Sequence, residues 1–292
     1  ARRLPGEPSD RIVTLRTLED SDRIKELLSG GRLVVIGAGF IGAEIAASAR
    51  TKNVDVTVLE MGPVPLVRAL GEDVGAIYGR IHREEGVDLR TDEGVDSIEE
   101  GSSGVAVRTT KGNTLEADAV VVGVGIAPNV ELAERARLAL SNGVDVDAAL
   151  RTSAPGVFAV GDIANHDHPL FGRIRVEHFD NALKMGAHVA GSMMGEAEPF
   201  VDPHWFWSDQ YDVNLQYGGF AMKWDSVVVR GSLEERNGAA FYLNDGVLLA
   251  ALGLNRGKDV RRAMKLIAAR ATPDPKALAD DDIDLRTLVA KE

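Results

Sequence analysis

Gly37-Ala38-Gly39-Phe40-Ile41-Gly42 has the glycine spacing that can hold a pyrophosphate, and it lies between an apolar run at residues 33–36 and an Ala-rich stretch that predicts a helix to about Arg50. Gly37 permits a tight turn, Gly39 lets the backbone approach phosphate, and Gly42 lets helix and strand pack closely. The N-terminus of the helix, at Phe40 and Ile41, supplies positive potential to the anion. Spacing alone is a weak signal. Here, however, the next predicted strand, residues 54–59, runs into Glu60, eighteen residues after Gly42. A carboxylate there accepts hydrogen bonds from both ribose hydroxyls of an adenosine and repels a 2′-phosphate. Strand, turn, helix, strand and acid in this order read as a dinucleotide site that favours NADH over NADPH. Arg68 could offset Glu60, but it reads as a surface arginine.

Other side chains stand where two roles are open. Glu44, in the first turn of the same predicted helix, is an acid in an otherwise apolar stretch, commonly a sign of compensation for the helix dipole. Asp162 follows an apolar run at 157–160 that reads as a strand, and could cap a helix or bind a ligand. Glu177 and His178 stand at the start of a helix predicted to run to about Met194, whose N-terminal dipole suits a negatively charged group. Trp205 and Trp207 alternate on one strand-like segment and point the same way, and aromatics in a small domain are usually core. There is no cysteine, so no thiol nucleophile, redox-active Cys pair or Cys-ligated cluster is encoded in these residues. The six histidines show no HExxH-type spacing. His166 and His168 form an H-x-H pair in an expected loop without supporting carboxylates, so no metal site is expected.

The elements that must position these groups follow from pattern. A chain of 292 residues with 45% apolar content suggests two domains with real cores. A helix at 17–28, capped by Thr17 or Ser21, precedes the glycine turn. A helix at 72–85, a third parallel strand at 87–89, an antiparallel meander over 92–118 and an apolar strand at 119–124, passing into Gly125, follow it. After residue 200 the texture changes: eight of the fifteen aromatics fall between 200 and 224, which marks a boundary. Strands at 213–216, 227–230, 240–243 and 247–252 are expected there, with a hairpin turn at Asn244-Asp245-Gly246 and a final helix at 258–270. The net charge of -12 disfavours nucleic acid and anionic membranes, and no apolar run approaches the length of a membrane span. A cytoplasmic protein is the expectation.

At Gly37 to Glu44, at residues 122–129 (VGVGIAPN), at 152–162 (TSAPGVFAVGD), at Val176-Glu177-His178 with Asn181-Ala182, and at 205–211 (WFWSDQY), the sequence resembles the FAD-dependent pyridine nucleotide oxidoreductases, and among them the NADH:ferredoxin reductases of bacterial oxygenase systems. The resemblance implies an α/β fold with three parts: a Rossmann-like NAD domain at 1–121, the second half of a glutathione-reductase-type FAD domain at 122–200, and a C-terminal α+β domain at 201–292. It implies FAD and NAD as cofactors, with Gly37, Gly39, Phe40, Ile41, Gly42, Glu60, Gly125, Asp162, Glu177, His178 and Trp205 binding them. Asp162 matches the residue that binds the flavin ribityl chain. Glu44 matches a Glu beside the nicotinamide that pairs with a Lys, which would lie before residue 1, and Glu44 and Trp207 are the implied catalytic positions. Ala1-Arg2-Arg3-Leu4-Pro5-Gly6 matches the crossover out of the family's opening strand and fingerprint for the ADP part of FAD. A truncated reductase that binds FAD poorly by itself is therefore the expectation. The implied partner is a [2Fe-2S] ferredoxin. Since ferredoxins are usually acidic, docking needs a local basic surface, and Lys258, Arg261, Arg262 and Lys265, with Arg256 just before them, recur on one face of the final helix. The same spacing also suits a plain solvated face. An NADH oxidase or diaphorase, or a non-catalytic NAD-binding fragment, are the alternatives.

Overall fold

The computed structural model describes residues 1–289 except positions 3, 5–8, 29 and 197. Arg3, Pro5 and Gly6 of the expected crossover lie outside the described residues. The chain divides into unit 1, Ala1–Ala127 with Asp209–Asp212, and unit 2, Pro128–Ser208 with Val213–Glu292.

In chain order unit 1 contains β1 (Ile12–Val13), α1 (Leu18–Leu27), β2 (Arg32–Ile36), α2 (Phe40–Arg50), β3 (Asp55–Leu59), α3 (Val67–Glu84), β4 (Asp88–Arg90), β5 (Val95–Glu100), β6 (Val105–Thr109), β7 (Thr114–Ala117) and β8 (Ala119–Val122). Five strands form a parallel sheet in the order β1-β8-β2-β3-β4, and β5-β6-β7 form the expected antiparallel meander. β2 and β8 are buried on both faces, which is why they read as continuous apolar runs rather than alternating ones. Val35, Val58 and Val121 pack with Ile45, Ala46 and Ala49 of α2. Val34, Leu59 and Val120 pack on the other face with Val105 and Val107 of the meander. Thr17, not Ser21, caps α1, in a reciprocal pair with Asp20. α3 begins before the expected position because it is two helical pieces joined at Gly71, whose φ of 79° breaks the turn.

Unit 2 contains α4 (Glu131–Arg135), β9 (Leu140–Ser141), β10 (Gly143–Val146), β11 (Ala164–His168), β12 (Gly172–Arg175), α5 (Phe179–Met193), β13 (Trp205–Gln210), β14 (Val213–Gly219), β15 (Ser226–Ser232), β16 (Asn237–Asn244), β17 (Val247–Leu254), α6 (Gly257–Ala268) and α7 (Pro275–Ala279). The last two residues of β13 are counted with unit 1. One sheet runs β12-β11-β10-β9 and the other β13-β14-β17-β16-β15. Asp245 and Gly246, both at positive φ, make the two-residue turn between β16 and β17. α6 packs Ala263, Leu266 and Ile267 on Phe241, Leu248 and Ala251.

Two expectations fail in unit 2. Residues 157–160 are not a strand: Phe158 makes only an isolated bridge to Arg151, and the segment bonds to a turn in which Leu150 has a φ of 66° and ends any ladder. His166 and His168 are not in a loop. They lie on β11, each 1% exposed, with ring centroids 5.1 Å apart.

Candidate functional site

In unit 1, β2 is flanked by β3 on one side and β8 on the other, so the chain reverses its direction of winding at the C-terminal end of β2. That switch point is where open α/β sheets place ligands. The glycine turn occupies it. Gly37 N–H donates to the Leu59 carbonyl and Gly123 N–H to the Ile36 carbonyl, both at 2.8 Å, tying the turn to the ends of β3 and β8. A Cβ on Gly37, whose φ is 94°, would meet the Gly123 oxygen at 2.6 Å, and one on Gly42 would meet the Gly37 oxygen at 1.9 Å. Gly39 is the opposite case: it has ordinary backbone angles, and a Cβ there would meet nothing within 4 Å. Close packing thus explains two glycines, whereas the third borders open space that a pyrophosphate can fill. Gly39 is also the N-cap of α2 and leaves its N-terminus without a side-chain cap.

Glu60 leaves the end of β3 with both oxygens aimed at this turn. One accepts from Ala38 N–H and the other from Gly62 N–H, each at 2.7 Å. The side chain is half-buried, with lone pairs left over for a ribose. Phe40 and Ile41 are the first two residues of α2, and Ile41 is exposed. Glu44 lies one turn further along and is half-buried, so the expected first-turn position needs correcting: the helix starts at Phe40 and the acid is too far from its N-terminus for dipole compensation to account for it. Gly125, at a φ of 96°, also borders open space, and its carbonyl accepts from Arg2 N–H.

Sequence reasoning did not single out the polar groups on the inner face of α3. Tyr78 is fully buried, and its hydroxyl has no hydrogen-bond partner. Burial pushes that phenol well above its usual range, and the charges of Glu44 and Asp209 push it the same way. One turn on, His82 bonds Tyr211 and Gln210. The signal in the sequence was the i, i+4 spacing of two polar aromatics on an otherwise apolar face.

In unit 2 three separate motifs converge. Arg175, at the end of β12, donates to the Asp162 carbonyl at 2.9 Å and pairs with the Glu177 carboxylate at 2.7 Å. His178 is the N-cap of α5 and stacks on Phe206, centroids 4.3 Å apart. Burial pushes His178 down to about 4. Trp205 and Trp207 do share a face, and stack on each other at 5.2 Å. Trp207 is 42% exposed, with its edge against Phe179, while the Trp205 indole nitrogen is buried without a partner. Asp162 is exposed and lies inside a single 3-10 turn, Gly161–Ile163, so it caps no α-helix. The helix cap, one of its two expected roles, is therefore absent. An uncapped helix N-terminus, an exposed carboxylate, an orphan indole N–H and exposed aromatic edges fit a large, polar-rimmed aromatic cofactor such as a flavin.

The cations of α6 do not all face solvent as the spacing implied. Arg256 forms a bidentate pair with Asp281, at 2.9 and 3.1 Å, and Arg262 turns toward Asp259 and Asp284, at 3.9 and 3.8 Å. The acidic stretch at 280–284, folded back by the buried Arg230, takes these two out of the row. Lys258, Arg261 and Lys265 remain exposed. Among the described residues no cluster of three or more His, Asp or Glu side chains is arranged to hold a metal ion, and no helix is long and apolar enough to cross a membrane.

Comparison with known proteins follows this geometry. Residues 1–186 match the family described as pyridine nucleotide-disulphide oxidoreductase, and residues 205–289 match the reductase C-terminal domain. The ferredoxin–NAD(+) reductase component of the anthranilate 1,2-dioxygenase system of Burkholderia cepacia is 40% identical, over 97% of this chain and 71% of that protein. Putidaredoxin reductase of Pseudomonas putida is 37% identical, over 94% of this chain and 67% of its own length. The crystal structure of a covalent putidaredoxin reductase–putidaredoxin complex superposes with a TM-score of 0.94 at 36% identity, covering 99% of this chain and 72% of that one.

Proposed function

Since the chain belongs to the pyridine nucleotide-disulphide oxidoreductase family and carries its reductase C-terminal domain, we propose that it works as an NADH-dependent, FAD-containing reductase that passes electrons to a ferredoxin of the [2Fe-2S] type. The observation that carries this reading is the turn at the switch point of unit 1, with its open Gly39 and the doubly anchored Glu60.

Gly37, Gly39 and Gly42 bring the backbone of the turn to the pyrophosphate, and the N–H groups at Phe40 and Ile41 face it. Glu60 takes the adenosine ribose and disfavours a phosphate on it. Bound FAD supplies the exchange between a two-electron donor and a one-electron acceptor. Asp162, Glu177, His178 and Trp205 of unit 2 would hold it, and Gly125 of unit 1 is by itself a candidate for cofactor binding. Asp162 presents an exposed carboxylate acceptor for hydroxyls, and Arg175 keeps the 3-10 turn and Glu177 in fixed relation. The N-terminus of α5 offers positive potential to the edge that becomes more negative on reduction. His178 stays neutral at physiological pH, so it adds no charge of its own to that of the helix N-terminus. Glu44 and Trp207 are the groups assigned to the reacting end. For the ferredoxin, the docking surface narrows to Lys258, Arg261 and Lys265, because Arg256 and Arg262 are already paired within the chain. The three-part division at 1–121, 122–200 and 201–292 is kept as the functional layout.

The test is anaerobic addition of NADH to the FAD-loaded protein. The reading expects immediate bleaching of the visible flavin band, with NADPH much slower at equal concentration. A band unchanged by NADH would overturn it.

A further inference from the structure

Arg175 lies one residue before the Val176-Glu177-His178 motif and ties three segments together. Its Nε donates to the Asn142 side-chain oxygen at 3.2 Å, in the turn between β9 and β10. Its Nη1 donates to the Asp162 carbonyl at 2.9 Å and stands 2.7 Å from a Glu177 carboxylate oxygen. The Arg175 side chain is only 8% exposed, against 38% for Glu177. Room for its stem is built into the fold, since a Cβ on Gly143, whose φ is 107°, would meet Arg175 Cδ at 2.8 Å. A buried guanidinium with acceptors on three segments is a fixed arrangement, unlike a solvated surface pair.

The pairing matters because of what stands beside it. Glu177 and Asp180 flank the N-terminus of α5, where His178 supplies no side-chain cap. Two unpaired carboxylates there would offset the positive pole of the helix. Each instead has its own cation: Glu177 has Arg175, and Asp180 has Lys184 at 2.8 Å, one turn further along α5. The second pair is contained within the helix, whereas Arg175 reaches over from β12 and holds the Asp162 turn as well. We propose that Arg175 is the positioning residue that sets the charge at the flavin site, neutralising Glu177 and tying the Asp162 turn to it, so that the N-terminus of α5 stays an uncompensated positive pole. The proposal rests on the reading that Asp162, Glu177 and His178 hold FAD. Charge near a flavin tunes how readily it is reduced, and an unpaired carboxylate beside it makes reduction harder. Arg175 acts on the cofactor only through these partners.

Three variants separate charge from mere structure. Arg175→Gln removes the charge, Arg175→Lys keeps it without the planar fork, and Arg175→Gln combined with Glu177→Gln removes both charges of the pair. One readout is the reduction potential of the FAD-loaded protein, equilibrated with a reference dye; the other is hydrogen exchange of residues 161–163 in the chain without FAD. Arg175→Gln should lower the ratio of reduced to oxidised FAD at a fixed potential by about three- to tenfold, a tenfold change being about 30 mV for a two-electron couple. It should also speed exchange at 161–163. The double variant should bring the ratio back to within about twofold of the parent while exchange stays fast, because charge is rebalanced but the tie is not remade. Arg175→Lys should keep the ratio near that of the parent. A ratio unchanged in Arg175→Gln would overturn the proposal, as would a double variant or Arg175→Lys that falls as far as Arg175→Gln. Exchange at 161–163 unchanged in Arg175→Gln would overturn it too. The underlying reading is checked apart from Arg175: if Asp162→Ala takes up FAD as tightly as the parent, or the parent takes up none, it is the site itself that has been misread.

Discussion

Replacing Glu60 by Gln removes one charge and almost no volume, and the structure sets what that does. Both carboxylate oxygens accept backbone N–H groups, from Ala38 and Gly62. Gln can satisfy only one of them with its oxygen, so the other loses its acceptor. For a half-buried group this costs about 1 kcal/mol, at the low end of the range for an unmade bond. The ribose contacts lose their charged acceptor, worth roughly 1.5–3 kcal/mol. NADH affinity should therefore fall by about tenfold to a hundredfold. For NADPH the sign reverses, because two like charges about 4 Å apart repel by as much as ~4 kcal/mol at an effective dielectric of 20, and much less at this partly exposed site. Relief of even ~1–2 kcal/mol offsets most of the lost bonds, leaving NADPH affinity near its parent value. Calorimetric titration of parent and variant with both nucleotides reads the change in ratio, and thermal unfolding confirms that the turn survives. If both nucleotides weaken equally, or NADH is unaffected, Glu60 does not read the ribose and the argument from its geometry is wrong.

The same geometry sets three further outcomes. Gly39→Val should leave the melting temperature nearly unchanged and abolish measurable NADH binding, because the new side chain fills only the open space; Gly42→Ala should instead unfold or strongly destabilise unit 1, since its Cβ would overlap the Gly37 oxygen, and thermal melts distinguish the two. Burial holds His166 and His178 down to about 4, with His204 lower still, while the unfolded chain titrates near 6.5. The folded form therefore binds fewer protons in this window, so the stability of unit 2 is fully present above about pH 6.5 and is lost by a few kcal/mol as the pH falls toward 4, which urea unfolding at stepped pH measures. Reversing Lys258 and Arg261 to Glu should slow ferredoxin-dependent turnover several-fold at low ionic strength and leave NADH-to-dye reduction intact, whereas reversing Arg262 should chiefly lower thermal stability, because it breaks pairs with Asp259 and Asp284.

The nucleotide half of the fold was legible because its signals are local and strong. β2 and β8 are apolar on both faces, the glycine turn has a fixed spacing, and Glu60 marks the end of β3. The hairpin at Asp245 and Gly246 was equally plain. β11 was missed because its sequence, Ala-Asn-His-Asp-His, hides buried histidines behind a polar composition. His168 is buried with both nitrogens used, accepting from Leu170 N–H and donating to the Asp202 carbonyl, while His166 bonds the Ala148 carbonyl through Nε2 and keeps a buried Nδ1 without a partner. Periodicity placed the four cations of α6, with Arg256 just before them, correctly on the chain, but it carries no information on what folds against them. The pairing of Arg256 with Asp281 is a long-range contact made by an acidic segment that the spacing cannot place. The contacts of α3 were similarly hidden, since the hydrogen-bond partners of His82, Tyr211 and Gln210, come from more than a hundred residues away.

In the function proposed above, electrons from NADH leave this protein singly, to an iron-sulfur partner. The most direct measurement mixes the FAD-loaded protein anaerobically with one equivalent of oxidised [2Fe-2S] ferredoxin and limiting NADH, and follows the ferredoxin and nicotinamide absorbance together. The account predicts two ferredoxins reduced per NADH consumed, with NADPH far slower and the rate falling as salt is raised. NADH consumed at the same rate with the ferredoxin left oxidised would contradict it.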